Sequence, residues 1–126
     1  MIKKHEQFAP CPNSPNCVSS KSKKSASSIE PLHYEGEEHP FTLIIPIIEN
    51  MSRASLITQE ENYLRFEFRS MLFSFIDDVE FSYDPENHLI HMKSASRSGY
   101  LDFGVNRKRL ERIRKHFNRN LRPVLP

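Results

Sequence analysis

From Tyr63 to Ala95 the chain switches between apolar and polar residues at nearly every second position, across three successive runs. That period is the period of a β-strand, whose side chains point to opposite faces in turn, and it allows only one face to be buried. In Tyr63–Ser70, Leu64, Phe66 and Phe68 share one side, while Tyr63, Arg65, Glu67 and Arg69 share the other. In Phe73–Tyr83 the apolar side holds Phe73, Phe75, Val79, Phe81 and Tyr83. Asp84-Pro85-Glu86-Asn87 is a turn with proline at its favoured second position. His88–Ala95 is the next strand, with Ile90 and Met92 inward, and Ala54–Thr58 is a shorter one ahead of Tyr63. Four strands in sequence order predict an antiparallel meander.

Helical signals flank this run. Pro40–Asn50 contains Phe41, Leu43, Ile44, Ile45, Ile47 and Ile48, enough for a short buried helix. Pro46 fits only near a helix start, which favours a beginning at Thr42. After the strands, Asn106 reads as an N-cap, Val105 and Leu110 as a hydrophobic staple, and Leu110, Ile113, Phe117 and Leu121 as a buried stripe that Pro123 ends. The expected fold class is α+β: a four-stranded antiparallel meander sheet, a short helix before it and a basic C-terminal helix packed on one face.

The 126 residues suffice for one ordinary domain, and 37% hydrophobic with 27% charged residues excludes a wholly disordered chain. Residues 1–28 read as an irregular N-terminal segment. Its Cys11–Cys17 stretch holds two prolines and two asparagines, and Ser19–Ser28 is six serines, three lysines and one alanine. Residues 29–126 read as a single α+β domain. The lysines of MIKKHEQFAPCP have no apolar stretch behind them, which is not a signal peptide and predicts a cytoplasmic protein with Cys11 and Cys17 as thiols. Five intervening residues nonetheless allow the two cysteines to come within disulfide range, and two cysteines cannot complete a zinc site alone.

A net charge of +2 conceals segregation. Residues 1–29 carry five lysines and one glutamate, residues 30–92 thirteen acids and three arginines, and residues 93–126 ten bases and two acids. Such a chain either pairs its own halves or offers one to a partner of opposite sign. Pairing within the chain is the simpler expectation, with the basic helix docked on the acidic middle segment.

Alternation aims Asp77 inward beside Phe75 and Val79, where a carboxylate is costly unless partnered. Either a bulge at Asp77-Asp78 turns it to solvent, or it meets a cation from the basic end, Arg97 or Arg107. Ser94 and Ser96 continue the inner face of Ile90 and Met92, so that face turns polar as its strand ends. Two of the three glycines, Gly99 and Gly104, then cluster before the helix, where positive φ and free N–H groups suit either a tight turn or an anion. Asp102, Asn106 and Arg107 lie in the same stretch, and an ion pair of Arg97 or Arg107 with Asp77 or Asp102 would hold it. His88 and His91 fall on opposite strand faces, and His33 and His39 lack a ligand spacing, so neither metal nor cofactor is expected. No Gly-x-Ser-x-Gly elbow is present.

Three stretches together resemble a known family: Cys11-Pro12-x-Ser14-Pro15-Asn16-Cys17-Val18-Ser19-Ser20, Phe75-x-Asp77-Asp78-Val79-Glu80-Phe81, and Ser94-Ala95-Ser96-Arg97-x-Gly99-x-x-Asp102-x-Gly104-Val105-Asn106-Arg107-Lys108-Arg109. The sequence is similar, over about residues 9–117, to a small bacterial and plastid family catalogued as a domain of unknown function. The resemblance implies no reaction. Its members often carry a leader or membrane segment ahead of the Cys-Pro motif, which implies export or a lumenal site for those relatives, and this sequence departs from that pattern. Its motifs fall on Cys11, Asn16, Cys17, Asp77, Asp78, Ser94, Ser96, Arg97, Gly99, Asp102, Asn106 and Arg107.

The function that fits best is a non-enzymatic binding module for a small anionic or polar ligand, held by Asp77, Ser94, Ser96, Arg97, Asp102, Asn106 and Arg107 where sheet end, glycine loop and helix start meet. One alternative is a hydrolase-like enzyme using Asp77 or a cysteine. Another is an interaction scaffold using the basic helix, for which an anionic membrane surface is a fitting peripheral partner. Nucleic acid fits less well, because only Phe117 interleaves those bases and it belongs to the buried stripe.

Overall fold

The structure is a computed structural model describing residues 8–70, 75–99 and 102–121. It is α+β, with two α-helices against a mostly antiparallel sheet. The strands are β1 Cys17–Ser19, β2 Leu32–His33, β3 Ala54–Gln59, β4 Tyr63–Arg69, β5 Ile76–Asp84 and β6 Leu89–Ser96. Helix α1 spans Phe41–Glu49 and helix α2 Val105–Asn120.

The sheet has six strands rather than the expected four. The meander β3–β6 is there, but β1 and β2 each pair with β6 at a different stretch of that strand, giving the order β1-β6-β5-β4-β3 with β2 also paired to β6. Val18 faces Ser94 across one pairing and Leu32 faces Ile90 across the other. The N-terminal stretch that reads as irregular thus supplies a strand, and Ser25–Ser27 adds a 3-10 turn. Two or three residues carry no detectable period; Val18 and Leu32 are held by burial in the core.

Register turns the alternation into rows across the inner face. Met92, Phe81 and Leu64 form one row, and Val18, Ser94, Val79 and Phe66 the next. The last row is Ser96, Asp77, Phe68 and Ala54. The inner face is therefore apolar in the middle and polar at one corner. Phe66 and Phe81 are fully buried and meet edge to face at 6.1 Å, each worth about 1.5–3 kcal/mol of burial.

Both helices cover that face. Helix α1 buries Phe41, Ile44, Ile47 and Ile48, and α2 buries Leu110, Ile113 and Phe117. The first helix begins at Phe41, one residue earlier than Pro46 favours. Pro46 and Thr42 line the same open cleft, so the hydrogen bond the proline cannot donate is lost on the wet side.

Four local expectations are corrected. Phe75 precedes β5 and is 49% exposed, because the strand begins only at Ile76; Phe73 lies outside the described residues. His88 belongs to the turn, with φ of 58°, so the last strand starts at Leu89. Asn106 is no N-cap: Gly104 takes that position with φ of 77°, and Asn106 is buried inside the first turn. Val105 is 45% exposed and staples nothing.

Candidate functional site

The polar corner is assembled from four places in the chain: the Cys-Pro loop, β5, the end of β6, and the start of α2. Asn106 is its centre. Its Oδ1 accepts from Ser94 Oγ at 2.5 Å and from Arg109 Nη1 at 3.0 Å. Its Nδ2 faces three acceptors, Asp102 Oδ2 at 2.8 Å, Ser96 Oγ at 3.0 Å and the Asn16 carbonyl at 3.2 Å. With donors on one side and acceptors on the other, the amide has one sensible orientation. Asp102 does the capping that Asn106 does not: Oδ1 accepts from the Gly104 N–H at 2.8 Å and Oδ2 from the Asn106 N–H at 3.3 Å.

Asp77 points inward, as alternation predicts, and no bulge turns it out. Its partner is neither Arg97 nor Arg107. Arg109 Nη1 lies 2.9 Å from Asp77 Oδ2, with the two side chains 13% and 14% exposed. The same nitrogen donates to Ser94 Oγ at 3.1 Å, and the guanidinium sits 4.6 Å from the Phe68 ring centroid. Arg109 stands three residues after Asn106 and four before Ile113, beside the buried stripe. Extending the Leu110–Ile113–Phe117 stripe back one turn to Asn106 is the signal that would have found it.

Arg97 lies on the opposite face. It grips Asp78 through Nε–Oδ2 at 2.7 Å and Nη2–Oδ1 at 2.8 Å, and reaches Glu67 Oε2 at 2.5 Å. Arg65 Nη1 joins both acids, at 3.0 Å and 3.3 Å. Partial burial pushes the Asp78 carboxyl up, but the hydrogen bonds and charges of Arg97 and Arg65 outweigh it and hold it below the ordinary carboxylate value. Hydrogen bonding to Arg97 likewise lowers Glu67. Nearby, burial and a 2.5 Å hydrogen bond to Glu80 raise the Tyr63 phenol. Arg107 is elsewhere again, its Nη2 donating to the Ala26 carbonyl at 3.0 Å.

The structure thus brings Asp77, Ser94, Ser96, Asp102 and Asn106 together, and separates Arg97 and Arg107 from them. Asn16 and Arg109 complete the corner. Asn16 also donates to the Gly99 carbonyl at 2.7 Å, where Gly99 has φ of 81°. Cys17, next to Asn16, is joined to Cys11 in a disulfide with Cα atoms 5.7 Å apart. In this state neither sulfur is a nucleophile.

Beside the corner, on the far side of Arg109, a cleft of about 370 Å³ opens between the end of α1, strand β4 and the first turns of α2. Met51, Phe68 and Val105 form its apolar part, and Lys108, Arg109 and Arg112 its cations. Two clefts of about 700 Å³ elsewhere have acidic rims, one with Glu60 and Glu61, the other with Glu35, Glu37 and Glu38. Among the described residues no three His, Cys, Asp or Glu side chains are grouped to hold a metal ion. No described helix is long and apolar enough to cross a membrane.

A family model described as protein of unknown function (DUF1499) matches residues 7–117. The chain belongs to the DUF1499 family. No curated protein and no solved structure matches it. The DUF1499 match covers the disulfide loop, the sheet and α2 through Phe117, so the polar corner and the cleft beside it both lie within the matched region.

Proposed function

We propose that the chain is a non-enzymatic binding module whose ligand is a small anion with an apolar portion, taken in the cleft between α1 and α2. The observation that carries this reading is the concentration of Lys108, Arg109 and Arg112 around one concave surface floored by Phe68 and Met51. Arg109 is anchored on Asp77, whereas Lys108 and Arg112 have no acidic partner among the described residues. Two exposed cations without an acidic partner beside one fixed guanidinium suit a phosphate or carboxylate, with the apolar floor selecting the rest of the ligand. The polar corner is then the frame that fixes Arg109 rather than the ligand's own site.

This reading is preferred over hydrolase-like chemistry because Asp77 is engaged by Arg109 and both cysteines are engaged by each other. The disulfide also supports work in an oxidising compartment over the reducing cytosol.

A thermal-shift and calorimetry series tests the ligand reading with inorganic phosphate, pyrophosphate, nucleotides and aromatic carboxylates. At least one should raise the unfolding temperature, and at a hundred-fold excess over Kd the gain is about 2.7 kcal/mol. A Lys108→Ala/Arg112→Ala double variant should fold normally and lose that gain. A ligand that stabilises wild type and double variant equally would overturn the assignment to this cleft.

A further inference from the structure

Apart from Arg109, the lysines and arginines of α2 fall into two groups by their partners. On one side, Arg107 donates to the Ala26 carbonyl, and Arg114 to the carbonyls of Glu30 and Pro31 and to Glu111. These arginines tie the helix to the segment ahead of β2. On the other side, Lys108, Arg112, Lys115 and Arg119 follow at four, three and four residues, which stacks them along one helix face. All four are exposed, and none has a partner among the described residues. The expectation that this helix docks its bases on the acidic middle segment is therefore not met here. Among the described ion pairs, only Arg109–Asp77 joins a base of α2 to an acid of that segment; Arg114 reaches it through backbone carbonyls alone.

A row of like charges at this spacing opposes the helix that carries it. The one acid of this helix, Glu111, is committed to Arg114, and the helix dipole favours a cation only in the last turn, so the row is compensated only in part and the remainder points outward, to a partner. The N-terminal end of the row is apolar. Phe103 is 85% exposed and held at φ of 53°, and Val105 follows at the mouth of the cleft that Lys108 and Arg112 share. A left-handed backbone that presents a phenyl ring to water is unfavourable on both counts.

We propose that this face, from Phe103 to Arg119, docks on the surface of an anionic lipid bilayer. The four cations span about 17 Å of helix and would meet lipid phosphates and carboxylates at headgroup level. Phe103 and Val105 would enter the boundary between headgroups and acyl chains, where an aromatic ring at the tip of an interfacial helix belongs. A nucleic acid would use the same charge, but a single aromatic at one end offers it no succession of stacking platforms. The surface extends beyond the proposed ligand cleft, so Phe103, Lys115 and Arg119 can be altered without touching that cleft.

The experiment is co-sedimentation of the full chain with vesicles of phosphatidylcholine alone and of phosphatidylcholine mixed with phosphatidylserine, across a salt series. Binding should require phosphatidylserine and weaken as salt rises. Lys115→Glu with Arg119→Glu should lower the partition coefficient by about 25-fold or more, since each cation near such a surface contributes about five-fold. Phe103→Ser should weaken binding and leave its salt dependence in place. Unchanged thermal midpoints, and an unchanged response to any small anion, show that these variants keep the fold and the cleft. Equal binding to both vesicle types, or binding indifferent to the double charge reversal, would overturn the proposal. So would tighter, row-dependent binding to an oligonucleotide than to vesicles.

Discussion

Asp77 and Asp78 are neighbours on one strand, point to opposite faces of one sheet, and are each met by arginine. Asp77 meets one guanidinium in a corner where Ser94, Asn106 and Phe68 surround it, with little water access on either partner. Asp78 shares two guanidiniums with Glu67, its own side chain 25% exposed and that of Arg97 44% exposed. Chemistry is the same and environment is not. The inner pair is a high-stakes element, because removing either member leaves a charge in a site built to exclude solvent. The outer network offers each member several alternatives, water included.

The largest expected effect follows from breaking the inner pair. Asp77→Asn should cost about 3 kcal/mol, the lower end of what an orphaned buried charge costs, and Arg109→Met a similar amount. The double variant should recover part of the loss, giving a coupling energy of about 1–3 kcal/mol in a double-mutant cycle by urea unfolding. Additive losses would mean that the two side chains do not act as a pair.

Next comes the Asn106 amide, which accepts from Arg109. Asn106→Ala removes the acceptor of the Ser94 hydroxyl and the donor to Ser96 Oγ, Asp102 Oδ2 and the Asn16 carbonyl, and should cost about 2–3 kcal/mol. Replacing both cysteines by serine should cost about 2 kcal/mol, as expected for so short a closed loop. Because Cys17 adjoins Asn16, that loss should shrink in an Asn106→Ala background, where the loop has already lost a contact to the helix.

How much of this the sequence made legible depends on period. Strands β3–β6 and both helices span enough residues for alternation or a helical stripe to show, and the inward aim of Asp77 follows from alternation alone. Strands β1 and β2 are too short to carry a period, so only tertiary packing defines them. The partner of Asp77 was legible in part. Strand parity that turns Ser94 and Ser96 inward turns Arg97 outward with Ala95 and Lys93, which already removes Arg97 as a candidate. Choosing Arg109 over Arg107 needs the rotational phase of α2, and the N-cap position given to Asn106 displaced that phase. The free cation row was visible as composition, but which bases are tied down depends on the 3-10 turn and the connector beneath them, neither of which has a sequence signature.

The smallest effect belongs to the outer network, and it carries its own signature. Its acids lie below their ordinary values in the folded state, Asp78 through Arg97 and Arg65 against the upward push of burial, and Glu67 chiefly through Arg97. A carboxyl lowered on folding stabilises the protein above its unfolded value of about 4, and that contribution is lost as pH falls through the folded value. Asp78→Asn should therefore cost less at neutral pH than Asp77→Asn, and the difference from wild type should close as pH drops below about 4. Salt should erode the Asp78 effect and leave the Asp77 effect nearly intact, since exposed charges are screened and enclosed ones are not. Unfolding curves of the two asparagine variants at neutral and acid pH, at low and high salt, measure both. If salt erodes the two losses equally, the distinction between the faces fails, and the inner corner is as open to water as the outer one.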